Sequence, residues 1–104
     1  MQNKEISDLE NTISFKFNDQ SILRRSLTHK SFDKDDNNET LEFLGDRVLG
    51  LVISEKLINE FPNEPEGLLD KRYSKLVNKE TCHKVSQFLN LGDFILLGST
   101  EINS

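Results

Sequence analysis

The sequence of 104 residues is long enough for one small domain with a marginal hydrophobic core. Hydrophobic residues make up 35% of it and charged residues 30%, a balance that is typical of globular proteins and excludes a disordered tail. The net charge of −5 argues against a general nucleic-acid binder, because phosphate contacts require Lys and Arg.

No apolar run reaches the roughly 18 residues that a membrane span requires, and the N-terminus lacks the apolar core of a signal peptide. We therefore expect a cytoplasmic protein with no membrane contact. Cys82 is the only cysteine in the sequence, so neither an internal disulfide nor a cysteine-rich zinc site can form. We expect Cys82 to fill space within a helix.

The spacing of apolar residues predicts five helices and no domain boundary. In chain order they span residues 4–13, 19–27, 39–60, 66–77 and 78–89. The pair Asn18-Asp19 offers a cap for the second helix and Asn38 for the third, and Pro62 and Pro65 end the third. A short apolar run over 94–98 follows, as a strand or an extended segment. The sequence therefore predicts an all-α fold.

Three carboxylates, Glu39, Glu42 and Asp46, share one face of the third helix. Like charges three or four residues apart repel, and a half-buried carboxylate loses hydration, so we expect a positive group or water beside them. The candidates are a divalent cation, a basic side chain, or solvent around an ordinary acidic face. Hard oxygen ligands suit Mg²⁺ or Mn²⁺.

The other faces of the third helix are apolar, which predicts that this helix is the most buried element. The residues expected inside are Leu41, Leu44, Val48, Leu51 and Val52. Phe43 points away from both the carboxylates and this apolar set, although an ordinary core position is the alternative. Gly45 and Gly50 each cost the helix roughly 1 kcal/mol, which indicates close packing against another helix or a phosphate.

The sequence contains no P-loop, no dinucleotide-binding fingerprint and no recognisable Ser, His and Asp triad. Any chemistry therefore belongs to the carboxylates and a metal ion, which favours phosphodiester hydrolysis over acyl transfer. Lys71, Lys75 and Lys79 recur every four residues, either to contact a phosphate backbone or as a solvated face.

Residues 39–49 resemble the signature of the ribonuclease III family, Glu-x-Leu-Glu-Phe-Leu-Gly-Asp-x-Val-Leu, at every fixed position. Residues 27–32 resemble the family segment LTHxS(Y/F). Residues 61–72 resemble the family segment FP…EG.L…R, with Arg72 at its end. The resemblance implies a helical endonuclease domain over residues 1–104.

The resemblance also implies a role for individual residues. Asp46 matches the catalytic aspartate, Glu42 matches the glutamate that binds Mg²⁺, and Glu39 and Glu66 match acidic residues that support the metal or the RNA. Phe43 matches an aromatic residue that inserts into a partner copy in a homodimer. The implied activity is Mg²⁺-dependent cleavage of double-stranded RNA, with Mn²⁺ as a substitute, in the processing of ribosomal and other RNA precursors.

In the family, the endonuclease domain continues past the position of Ser104 into a helix with the pattern Asp-x-x-Glu-Ala, and a double-stranded-RNA-binding domain follows. We therefore expect residues 1–104 to form an incomplete nuclease domain that is inactive alone. The alternative function is a non-catalytic ribonuclease III-like module for RNA binding or dimerisation.

Overall fold

A computed structural model of the chain describes residues 5–98. Their helices are α1 (Ile6–Ile13), α2 (Gln20–Ser26), α3 (Glu39–Glu60), α4 (Glu66–Val77) and α5 (Lys79–Phe88). No strand forms within the described residues, where the only bridge pairs Thr28 with Leu96. The all-α prediction is confirmed, and each helix agrees with its predicted span to within about two residues.

The chain divides into two compact units. The first, called the terminal unit here, contains the described residues 5–42 and 86–98. The second, called the middle unit, contains residues 43–85. Helix α3 is continuous and begins in the terminal unit. None of the described helices is long and apolar enough to cross a membrane.

The core of the terminal unit is built from α1, α2 and the segment that follows α5. Leu9, Leu23 and Phe94 are its buried members. The partly buried residues packed against them are Ile6, Ile13, Phe17, Leu27 and Leu91. Each fully buried side chain of this type contributes roughly 1.5–3 kcal/mol by leaving water, so the cluster supplies a large share of the unit's stability.

Glu10 is a buried carboxylate within the terminal unit, with only 3% of the residue exposed. Its Oε2 accepts a hydrogen bond from the Phe17 backbone N–H at 2.7 Å, and its Oε1 accepts one from Gln20 Nε2 at 3.0 Å. Both oxygens are therefore satisfied, which a buried carboxylate requires. Glu10 thus ties the end of α1 to the start of α2.

After α5, Leu91–Asp93 form a short 3₁₀ helix, and the end of the apolar run that follows lies against the segment of residues 27–31. The His29 N–H donates to the Leu96 carbonyl at 2.9 Å, and the Leu96 N–H donates to the Leu27 carbonyl at 2.9 Å. Farther along, the Gly98 N–H donates to Ser31 Oγ at 2.9 Å. A Cβ at position 98 would run into the Ser31 carbonyl, so only glycine allows this approach.

The prediction that α3 is the most buried helix is wrong for the described chain. Leu57 is its only buried residue. Four of the residues expected inside, Leu44, Val48, Leu51 and Val52, are at least half exposed, and Leu41 is half-buried. Apolar periodicity indicates that burial stabilises a face of the helix. It does not indicate that residues of the same chain bury that face.

Two smaller expectations also need correction. Cys82 is exposed on α5, so it does not fill a packed interior. At Gly45, a Cβ would meet nothing within 4 Å, so among the described residues no other helix packs closely against this glycine, and only the alternative of a phosphate still stands as an expectation. Gly50 does show the expected close packing, because a Cβ there would stand 2.7 Å from the Tyr73 hydroxyl of α4.

Candidate functional site: the acidic face of helix α3

The first turn of α3 is anchored by hydrogen bonds to the backbone and side chains of the terminal unit. The Asn38 N–H donates to the Thr28 carbonyl at 2.9 Å, and the Glu39 N–H donates to Asn37 Oδ1 at 3.0 Å. The Glu42 N–H donates to the Asn38 carbonyl at 2.7 Å. The side chain that caps α3 is therefore that of Asn37, whereas the sequence pattern predicted Asn38.

Glu39 has a basic partner in the structure. Lys30 Nζ lies 3.4 Å from Glu39 Oε2, and both side chains are about two-thirds exposed. Glu39 is also in the first turn, where the positive end of the helix dipole favours an acidic side chain. For this acid, a lysine is the positive group that the sequence pattern predicted.

Glu42 and Asp46 are less constrained. Glu42 is exposed, and its carboxylate has no hydrogen-bond or ion-pair partner within the described part of the chain. Asp46 Oδ2 lies 3.6 Å from Nη1 of its sequence neighbour Arg47, with both side chains exposed. In a continuous helix, residues four apart lie on the same face. These two carboxylates are therefore open to a cation or a basic group from solvent.

The donor chemistry of this face fits Mg²⁺ or Mn²⁺ in type and only partly in number. Carboxylate oxygens are the ligands that Mg²⁺ prefers, and Mg²⁺ commonly takes one or two of them beside waters and substrate phosphate. Over residues 5–98, however, no three His, Cys, Asp or Glu residues are grouped so that they could hold a metal ion. Glu42 and Asp46 alone would give a weak site.

Phe43 is 63% exposed, as the sequence predicted for an aromatic residue that does not join the core of its own chain. The Arg47 guanidinium lies over its ring, with Cζ 3.9 Å from the ring centroid. Arg47 Nη1 also donates to the Phe43 carbonyl at 3.3 Å. Phe43 therefore presents the free face of a supported ring to solvent, and a core position is excluded within the described chain.

Glu66 is the first residue of α4 and borders a cleft within the middle unit. The cleft has a volume of about 290 Å³ and is lined by Ser54, Leu57, Ile58, Glu66, Leu69, Asp70 and Tyr73. Glu66 and Asp70 are one helical turn apart, so the mainly apolar cleft has two acids on one wall. This arrangement does not bring Glu66 into a metal cluster among the described residues.

An ion pair fixes the corner at which Glu66 begins α4. Arg72 Nε and Nη2 donate to the two carboxylate oxygens of Glu64, each at 2.7 Å. The same guanidinium lies over the Phe61 ring, with Cζ 3.6 Å from the centroid. The hydrogen bonds from Arg72 lower the pKa of the Glu64 carboxyl, and the carboxylate raises the pKa of Arg72.

In the sequence, Arg72 stands out only as part of a family motif, and Glu64 does not stand out at all. Arg72 makes a bidentate pair with Glu64. Two parallel hydrogen bonds fix both the distance and the relative orientation of the two side chains, which a single hydrogen bond does not. The only signal in the sequence was one acid and one base eight residues apart, across a proline corner. That signal is too common in proteins to have identified the pair.

Comparisons with known proteins identify the family of this helical chain with acids on α3. The family model described as Ribonuclease-III-like matches residues 19–104. Ribonuclease 3 from Pelagibacter ubique is 52% identical over 89 residues, which are 86% of this chain and 40% of that protein. Ribonuclease 3 from Campylobacter jejuni is 48% identical over 101 residues, covering 97% of this chain and 45% of that protein.

Solved structures agree with these matches. A nuclease domain of ribonuclease III from Campylobacter jejuni superposes with a TM-score of 0.91 at 47% identity, covering 95% of this chain and 69% of that one. A second structure of the same domain gives 0.90 at 48% identity. The chain therefore belongs to the ribonuclease III family and has the fold of its nuclease domain. It spans less than half the length of the curated relatives it matches.

Proposed function

We propose that the chain is the first part of the nuclease domain of a Mg²⁺-dependent endoribonuclease that cleaves double-stranded RNA. Cytoplasmic processing of ribosomal and other RNA precursors is the proposed setting. The observation that carries the proposal is the Glu42 carboxylate, which is exposed and unpartnered within the described chain in the middle of an intact family signature. A carboxylate that no described side chain neutralises is available to bind a cation.

In this proposal, Glu42 binds the metal ion, and Asp46, one helical turn later, is the catalytic aspartate. When bound, the ion supplies a Lewis acid that activates water for attack and neutralises charge on the phosphate. Glu39 and Glu66 support the metal or the RNA.

Between Glu42 and Asp46 lies Gly45, where a side chain would have met no protein atom within 4 Å. A glycine there lets an RNA backbone approach the helix closely.

We further propose that two copies of the domain pair through the Phe43 side of α3. The exposed apolar residues of this helix and the exposed ring support such a contact. One of the solved Campylobacter jejuni structures is reported to show structural flexibility in a region involved in dimer formation of that nuclease domain.

The resemblance to the family implies further acids in the part of the domain that lies outside the match. We therefore expect the 104-residue chain to bind Mg²⁺ weakly and to cleave double-stranded RNA poorly. A chimera that adds the unmatched part of the Campylobacter jejuni nuclease domain should cleave it. The measurement is incubation of both proteins with double-stranded RNA, in Mg²⁺ and in chelator.

The residue assignment is tested in the chimera. Asp46→Asn removes a negative charge while nearly preserving the side-chain shape, so it should abolish cleavage without unfolding the domain. The matched control is Asp35→Asn, the same change at an exposed acid whose side chain has no partner among the described residues. Mg²⁺-dependent cleavage that survives Asp46→Asn would overturn the role of Asp46. Binding of RNA without cleavage would favour the non-catalytic module.

A further inference from the structure

Arg25, in the last turn of α2, reaches across to the beginning of α3. Its Nε donates to the Asn37 carbonyl at 3.2 Å, and its Nη2 donates to Thr40 Oγ1 at 3.0 Å. Nε also lies 3.7 Å from Asp36 Oδ1. All of these residues belong to the terminal unit. One planar guanidinium therefore holds the chain on both sides of the residue at which α3 begins.

The groups that Arg25 holds are the ones that place Glu39 and Glu42. Asn37, whose carbonyl accepts from Arg25, caps the Glu39 N–H with its side chain. Thr40, whose hydroxyl accepts from Arg25, lies between the two acids in the first helical turn. Rotation or fraying of this turn would move both carboxylates together, because backbone and side-chain directions are coupled in a helix.

The contribution of Arg25 is geometric more than ionic. The side chain of Asp36 is 74% exposed, and exposed ion pairs at such a distance stabilise a protein very little. The two hydrogen bonds, in contrast, require donors in a fixed fork. The single ammonium of lysine cannot reproduce that arrangement.

We propose that Arg25 is a positioning residue, which holds the first turn of α3 so that Glu42 and Glu39 face the metal ion and RNA of the proposed function. The proposal rests on that function. It adds a residue that lies outside the signature of residues 39–49 and makes no contact with the acids themselves. Outer contacts of this kind orient metal ligands and tune their affinity in other metalloproteins.

The neighbouring Arg24 provides a matched control. It has the same charge, lies in the same turn of α2, is exposed, and has no side-chain partner among the described residues. A change in net charge or in the helix propensity of α2 will therefore affect Arg24→Ala and Arg25→Ala alike. Loss of the contacts with Asn37 and Thr40 will affect only Arg25→Ala.

The first test is amide hydrogen exchange in the 104-residue chain without metal. The Glu42 amide donates to the Asn38 carbonyl and so reports on the first turn of α3. In Arg25→Ala it should exchange about tenfold faster than in the wild-type chain, while Arg24→Ala leaves it unchanged. Equal exchange in the wild type and Arg25→Ala would overturn the claim that Arg25 holds the turn.

The second test measures Mn²⁺ binding to the same chains by the loss of the free-ion electron paramagnetic resonance signal. Arg25→Ala should weaken binding about threefold to tenfold, Arg25→Lys should fail to restore it, and Arg24→Ala should match the wild type. A merely structural role would lower the melting temperature and leave the affinity of the folded chain unchanged.

The two tests separate the positioning role from the proposed function. Equal Mn²⁺ affinity in the wild type and Arg25→Ala would overturn the positioning role alone. If only the chimera binds Mn²⁺, the same comparison of variants is made in the chimera. No Mn²⁺ binding by either the wild-type chain or the chimera would overturn the proposed metal site, and with it the function of Arg25 there.

Discussion

The hydroxyl of Tyr73 on α4 lies over Gly50 of α3, and a Cβ at position 50 would stand 2.7 Å from Tyr73 Oη. Cβ atoms of folded proteins essentially never make a non-bonded contact shorter than 3.0 Å, so one of the two side chains would have to move. The remaining ring atoms are farther away, with Cζ at 3.7 Å, an ordinary contact distance. The oxygen atom of Tyr73 therefore determines why a glycine stands at position 50.

Gly50→Ala should lower the free energy of unfolding, although alanine is the better helix former by about 1 kcal/mol. In a Tyr73→Phe background the obstructing oxygen is absent, so the same substitution should become neutral or stabilising. Gly45→Ala is the control, because a Cβ there meets nothing within 4 Å, and it should stabilise the chain by about 0.5–1 kcal/mol. Urea unfolding of the four variants measures these changes. An equal loss with and without the Tyr73 hydroxyl would contradict the explanation.

The pair of Glu64 and Arg72 makes the stability of the middle unit depend on pH. Hydrogen bonds from Arg72 lower the pKa of Glu64 in the folded chain below the ordinary carboxyl value of about 4.3. The folded state therefore binds fewer protons than the unfolded state between these two pKa values. The stability that Glu64 contributes is fully present above the unfolded pKa, and it is lost as pH falls through the folded pKa.

Glu64→Gln should accordingly lower the melting temperature near neutral pH, and its effect should shrink as the pH falls below the ordinary carboxyl value of about 4.3 and through the lowered pKa of folded Glu64. Glu55→Gln is the matched control, since Glu55 is exposed in the same unit and has no partner among the described residues. Thermal unfolding followed by circular dichroism across this pH range measures both. A deficit in Glu64→Gln that does not change with pH would show that the charge of Glu64 is not the source of its contribution.

The helix pattern was predictable from sequence because it depends on local signals. The caps, the prolines and the apolar spacing of residues 6–13 and 66–77 act over a few residues, and the observed bounds follow them. The signature of residues 39–49 likewise identified the acids of α3. Burial was not predictable in the same way: Leu51 belongs to an apolar face, yet 72% of it is exposed. Whether a face is covered depends on residues distant in sequence.

The contacts that hold the acidic face in place were not predictable from the sequence pattern, because they too join residues that are distant in sequence. Arg25 and Thr40 are 15 residues apart, and nothing in their local sequence specifies that they meet. Glu10 gave no signal either, because an acid in a short amphipathic helix is ordinarily solvated. Only the fold brings the Phe17 N–H and the Gln20 amide to its two oxygens.

Glu10→Ala should be strongly destabilising, since it leaves the part-buried Phe17 N–H and the Gln20 amide without their acceptor. The expected cost is about 1–3 kcal/mol for the unsatisfied donors, a large fraction of the total stability of a small domain. Glu10→Gln keeps one oxygen acceptor and should recover part of the loss. Asp35→Ala gives the cost of losing an exposed acid of the same unit whose side chain has no partner among the described residues. Urea unfolding in which Glu10→Ala costs no more than Asp35→Ala would contradict a structural role for Glu10.

Phe43→Glu should weaken self-association and leave the helix content of the chain intact. The ring is 63% exposed and contacts the Arg47 guanidinium, so its loss removes no core packing from the chain itself. In a dimer that buries this ring, a glutamate would lose the apolar contact and would have to be desolvated, a cost that pairing with the nearby Arg47 does not fully offset. The measurements are sedimentation equilibrium for the association constant and far-ultraviolet circular dichroism for the fold.

Phe88→Glu is the control for Phe43→Glu, because Phe88 on α5 is even more exposed, at 84%, and lies outside α3. The two substitutions change charge and hydrophobicity equally, so a non-specific effect on solubility or net charge will appear in both. Only a contact that involves the Phe43 side of α3 will separate them, with dimers retained in Phe88→Glu and lost in Phe43→Glu. If Phe43→Glu unfolds the chain, Phe43 has a packing role that its exposure does not reveal. If it folds and associates as tightly as the wild type, the dimer does not use this face of α3.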